Sequence, residues 1–188
     1  VSGMAIMNVE GIQYFDNLIN LDVSLNQITS LSDLPSSLSS LRCTNNQLTS
    51  LPDLPNMTDL NFAHNSISVL PNLPNIVSLN CESNQLTSLP LLPGITTLHC
   101  GGNYLSSLPN FPVIQNLYCE SNQLTDLLSY PNLLYLNCSY NLISTLPTLS
   151  NSLIELRCDN NRLKVLPKLP NSLIELWCNG NHLIALPK

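Results

Sequence analysis

One short string of apolar and polar positions recurs along the chain. It reads as an apolar residue, a variable residue, a second apolar residue, two polar residues or so, then asparagine-x-leucine and a proline-bearing stretch. With the first leucine of LxCxxNxLxxLP as the register mark, the marks are Leu21, Leu41, Leu60, Leu79, Leu98, Leu117, Leu136, Leu156 and Leu176. The steps between them are 20, 19, 19, 19, 19, 19, 20 and 20 residues. A fixed period of about 20 to 50 residues signals stacked units sharing one continuous core, because no unit can bury its apolar face alone. The pattern thus predicts one solenoid over 1–188, with 1–20 forming part of a preceding repeat and nine repeats of 19–20 residues after it.

Within each unit the alternating segment around the mark predicts a short strand, with leucine and the apolar residue two places on turned inward and their neighbours outward. Strands of successive units pair in parallel at about 4.8 Å, so nine of them extend on the order of 38 Å. An asparagine stands five residues after every mark, from Asn26 to Asn181. Its amide both donates and accepts, which suits the otherwise unpaired backbone groups of a bend. The return path is too short for a helix. Fourteen prolines also lie along it, and each fixes φ and removes a donor. The convex side is therefore expected to be extended or polyproline-like, with almost no helix.

The LxxLxLxxNxL core of each unit is the leucine-rich-repeat signature. More narrowly, the stretches LPDLP, LPNLP, LPLLP and LPKLP resemble the LPX-type repeats of bacterial secreted effectors. The cysteine column resembles the cysteine ladder of internalin-like surface proteins. This resemblance covers roughly residues 12 to 188. It implies a right-handed, horseshoe-like solenoid with parallel strands on its concave face, in a secreted or cell-surface bacterial protein. For the effector-type relatives it implies delivery into a host cytosol and, in some, a following ubiquitin-ligase domain.

All seven cysteines, Cys43, Cys81, Cys100, Cys119, Cys138, Cys158 and Cys178, fall two residues after a mark, in one column with Val23 and Phe62. That company is apolar. A line of thiols does not converge on a metal, and side-by-side residues in a parallel ladder are badly oriented for a disulfide. The expected role is that of a small hydrophobe. Phe62, far larger, predicts a local bulge.

Chemistry is sparse. His64, His99 and His182 sit in separate repeats, no hydrolase elbow surrounds the serines, and Gly101-Gly102 precedes no helix, so neither a catalytic residue, a metal site nor a cofactor is expected. The formal charge of −6 argues against nucleic acid, and no apolar run is long enough to insert in a membrane. Bases concentrate late: residues 1–156 hold one against ten acids, and 157–188 hold five against two. The chain starts in mid-pattern, with Ile6, Val9, Ile12 and Leu18, and stops at LPK, which predicts a piece of a longer protein.

Function is then sought in the outward positions. Those between leucine and cysteine are small and polar in the N-terminal half, whereas the C-terminal half carries His99, Tyr118, Asn137, Arg157 and Trp177, with Tyr135 beside them. Tyr, Trp and Arg dominate binding hot spots because they bury much area and keep a polar handle. These six residues are the candidate contacts for a protein or glycan ligand. Competing readings are the recognition half of a larger effector enzyme and a structural spacer in an adhesin.

Overall fold

The computed structural model describes residues 1–187, so that Lys188, the last position of the expected span, lies outside it. Nine three-residue strands form one parallel sheet in strict chain order: β1 (Asn20–Asp22), β2 (Ser40–Arg42), β3 (Asp59–Asn61), β4 (Ser78–Asn80), β5 (Thr97–His99), β6 (Asn116–Tyr118), β7 (Tyr135–Asn137), β8 (Glu155–Arg157) and β9 (Glu175–Trp177). The register never slips. Leu98 lies opposite Leu79 and Leu117, and the same holds for every mark. Among the described residues the sole helical element is a 3-10 turn at Ile12–Tyr14, as the prolines demand. The architecture is a parallel-strand solenoid.

Ladder pairing outlasts the assigned strands. Cys100 N–H donates to Tyr118 O at 2.8 Å, and Gly102 N–H to Glu120 O at 2.9 Å. The residue at Gly102's place takes a left-handed backbone in every repeat: Leu25, Asn45, His64, Ser83, Ser121, Tyr140 and Asn160 all have φ between 52° and 57°. Bulky side chains avoid this region, yet one more ladder bond is made there per coil.

The asparagines close the bend that follows. Asn103 donates through Nδ2 to Cys81 O at 3.0 Å, Cys100 O at 3.1 Å and Gly101 O at 3.2 Å, while its Oδ1 accepts Leu86 N–H at 2.9 Å. The same four partners recur around Asn84, Asn122, Asn141 and Asn161. Ahead of β1, Asn26 Oδ1 accepts from Ile6 N–H at 3.0 Å, so the first residues join the same network.

Before each strand a four-residue turn donates its last N–H to its first carbonyl. In the 19-residue steps proline is its second residue, as in Leu54-Pro55-Asn56-Met57, the position its fixed φ favours. In the 20-residue steps the turn begins at the proline or its equivalent, as at Pro35–Leu38, Ser150–Leu153 and Pro170–Leu173. The extra residue is absorbed between the proline and the strand. The strand face is unaffected by the change of period.

Leucines, isoleucines and the cysteine column fill the interior; Cys43 through Cys158 are fully buried and Cys178 is partly exposed. All seven thiols are free. Burial pushes Cys43, Cys81 and Cys158 up to about 12, and raises Cys178 less strongly. Phe62 is also fully buried but makes no bulge. It keeps the ladder register, with Phe62 N–H to Asn80 O at 3.0 Å and Asn84 Nδ2 to Phe62 O at 3.2 Å, against 2.8 and 3.0 Å for the same bonds at Cys81. Its column neighbours Cys43 and Cys81 are small, so the ring takes room they leave.

Asn103→Ala strands the buried Leu86 N–H and takes one of two donors from each of the Cys81, Cys100 and Gly101 carbonyls; it is expected to lower stability by about 1–3 kcal/mol, read as a lower urea midpoint with faster exchange of the Leu86 amide. An unchanged Leu86 exchange rate would contradict this role. Thiol labelling of the native protein at about pH 8 should modify Cys178 first and leave the other six until denaturant is added; rapid native labelling of several would overturn the buried column.

Candidate functional site

The outward side chains of the nine strands form three columns, one before the mark, one after it and one beyond the cysteine. Identical backbone register means that only side-chain identity shapes this face. At the middle, His99 and Tyr118 stack with ring centroids 4.3 Å apart and planes 10° apart. Partial burial depresses the pKa of His99 and raises that of Tyr118, leaving both neutral at pH 7 and suited to stacking.

The stack divides two hollows. On its N-terminal side a shallow one of about 220 Å³ runs from Arg42 and Asp59 to Asn80 and His99. On its C-terminal side a larger one of about 470 Å³ is lined by Glu120, Asn137, Ser139, Arg157, Asp159 and Trp177, with Tyr140 and Asn179 at its margins. The larger hollow exists because the coil of β7 floors it with Asn137 and Ser139, short side chains between longer ones on either side.

Charge is distributed unevenly within it. Arg157 Nε lies 2.5 Å from Glu155 Oε1, in an ion pair without the alignment of a hydrogen bond, and its Nη2 lies 3.9 Å from Glu175 Oε2. Its guanidinium carbon sits 4.7 Å from the Trp177 ring centroid, a cation–π contact. Asp159 Oδ1 accepts from Asn179 N–H at 2.8 Å and Asn179 Nδ2 at 3.1 Å, and Oδ2 accepts from Ser139 Oγ at 3.4 Å. Like Arg157 Nε, Glu120 Oε2 is buried without a hydrogen-bond partner, and unlike Arg157 it has no ion pair among the described residues. Burial raises the pKa of Glu120, outweighing the lowering by its own backbone N–H and by Arg157, with nearby Glu82 adding a smaller upward push. A Cβ on Gly101 would lie 2.9 Å from the carboxyl carbon of Glu120, closer than ordinary contact.

Of the six residues expected from sequence, Asn137, Arg157 and Trp177 meet in the larger hollow, His99 and Tyr118 form the ridge, and Tyr135 stands in the column before the mark, outside the hollow's lining. Sequence reasoning missed Glu120, Ser139, Asp159 and Asn179. All four belong to the third column, which alternation past the cysteine would have identified as outward. Counting all three columns, Asp59, Glu155 and Glu175 before the mark, Asp22 after it, and Glu82, Glu120 and Asp159 beyond the cysteine make seven acids against Arg42 and Arg157.

A sheet of identically registered strands, an asparagine ladder and a nearly helix-free return path define a leucine-rich-repeat solenoid. Among solved structures the chain is similar to YopM, a leucine-rich effector protein from Yersinia pestis, at 35% identity and TM-score 0.84, covering 97% of this chain and 60% of that one. A leucine-rich-repeat protein from Leptospira interrogans matches at 26% identity and TM-score 0.72, covering 94% and 58%. InlJ from Listeria monocytogenes, whose functional domain includes a cysteine ladder, shares the fold at 24% identity and TM-score 0.64, covering 95% and 52%. The chain thus spans at most 60% of the length of these relatives. No protein-family model and no curated protein matches it.

Burial raises the folded-state pKa of Glu120, so between its unfolded and folded values the native state holds the extra proton. Stability therefore falls as pH rises through that window and stays lower above it. Glu120→Gln is expected to stabilise the protein at pH 7, by less than about 1 kcal/mol because the group is only partly buried. The gain should vanish below about pH 4; denaturation midpoints of both proteins across pH test this, and an equal difference at all pH values would contradict it.

Proposed function

We propose that this chain is a non-enzymatic binding module, with the strand face as its contact surface and a protein as its ligand. The observation that carries this reading is the contrast between columns: the inward positions repeat as leucine and cysteine, while the outward ones differ from coil to coil and gather aromatic and charged groups around two hollows. His99, Tyr118, Tyr135, Asn137, Arg157 and Trp177 are the proposed contacts. Rigid ladder pairing holds them in place before a partner arrives, which keeps the ordering cost of association small.

Likeness to bacterial effector and internalin structures supports placement in a secreted or surface-exposed bacterial protein. The LPxLP stretches and the 35% identity to an effector favour, as a second reading, the recognition part of a longer effector chain acting within a host cell. A glycan is the alternative ligand, for which the exposed Trp177 ring is the supporting feature. The binding surface is the same in each.

A photo-cross-linking side chain placed at position 137 should yield adducts from host-cell or host-surface fractions, whereas the same group at position 126, exposed but outside the strands and both hollows, should yield none. Tyr118→Ala with Trp177→Ala should reduce the adducts by about tenfold or more. Equal adducts from positions 137 and 126 would show that the strand face is not the contact surface.

A further inference from the structure

We propose that the larger hollow is an anchor pocket for a lysine or arginine side chain carried by a protein partner. This rests on the protein-binding reading above and specifies the chemistry of the partner. Shape comes first. Asn137 and Ser139 floor a gap between Glu120 in one repeat and Arg157, Asp159 and Trp177 in the repeats beyond the floor. Two strand spacings separate β6 from β8, roughly 9.6 Å, enough for an alkyl chain ending in a charged head group.

The charge left uncompensated inside the gap is negative. Arg157 is occupied by Glu155, Glu175 and the Trp177 ring, and Asp159 by Asn179 and Ser139. Glu120 alone keeps a buried carboxylate oxygen with no donor. Leaving such a group unpaired is costly, and an ammonium or guanidinium would supply the charge-assisted hydrogen bonds it lacks. Gly101 leaves room for this carboxylate where it stands, because even a methyl group there would press against it and make it shift. Tyr140 and Trp177 beside it add ring faces, to which a cation is attracted.

The surrounding face favours the same partner. Seven acids against two arginines on the strand columns attract a basic surface during encounter and repel an acidic one. A nucleic acid or an acidic peptide would meet like charge.

Trp177 is the only tryptophan and lines the pocket, so its emission reports on occupancy. The 188-residue chain would be titrated with a ten-residue alternating Lys-Gly peptide, the matching Glu-Gly peptide and spermidine. A saturable change with the lysine peptide is expected, weakened about tenfold or more by Glu120→Gln and unaltered by Asp126→Asn, an exposed acid outside the hollow. Gly101→Ala keeps every charge but displaces the carboxylate, and should weaken binding in the same direction. Equal affinity of the wild type and Glu120→Gln for the lysine peptide overturns the proposal. So does an equal response to the glutamate peptide, or spermidine binding as tightly as the lysine peptide. If the lysine peptide fails while cross-linking from position 137 still depends on Tyr118 and Trp177, the pocket assignment falls and the binding face stands.

Discussion

Everything in this solenoid depends on a single inward-turned asparagine amide per coil. A unit of 19 residues must turn sharply straight after its strand, and the backbone groups of that turn face an interior with no water to satisfy them. Asparagine resolves this with one side chain. Its NH₂ bridges carbonyls of its own coil and of the coil before, and its oxygen takes an N–H from the coil before. Aspartate would supply no donor at pH 7 and serine too few. Because each amide joins two coils, the ladder also acts as the nearest-neighbour coupling from which a repeat array derives its cooperativity.

A second consequence is geometric. With each bend held by the same four bonds, the strands keep identical register, and variation in repeat length moves to the proline turn on the other side. Steps of 19 and 20 residues therefore present the same face. The left-handed residue before each asparagine belongs to this arrangement: its N–H makes a ladder bond even where the side chain is Leu25, His64 or Tyr140. The backbone cost of that conformation is about 1–2 kcal/mol for such residues, and the ladder imposes it on them.

Legibility in the sequence follows the same division. Leucine, cysteine and asparagine columns each have one structural role, so spacing alone identified the inward positions, the parallel sheet and the lack of helix. The bulge expected at Phe62 does not form, because a large ring in the cysteine column says nothing of the space left by Cys43 and Cys81 beside it. The functional face was only half visible. The strands end just before the cysteine, so alternation about the marked leucine reaches only two outward positions per coil. Ladder bonds continue beyond that point, and Glu120, Ser139 and Asp159 are outward for that reason. What no spacing rule conveys is the relation between repeats: the hollow arises from short side chains in one coil between long ones in its neighbours.

Glu120 shows how the two halves of the structure are related. A lone carboxylate in a compact single-core domain would act on the whole fold, and its removal would be favoured by stability alone. In an array, where coils are coupled mainly to their neighbours, a local cost of this kind is carried by the coils around it. The interior leaves Glu120 no partner of its own, and Gly101 keeps the space above its neighbour clear. An interaction left unmade in the free protein is one that a ligand can complete. Stability is held by the repeated inward columns, so the outward ones are free to hold groups whose pairing is completed from outside.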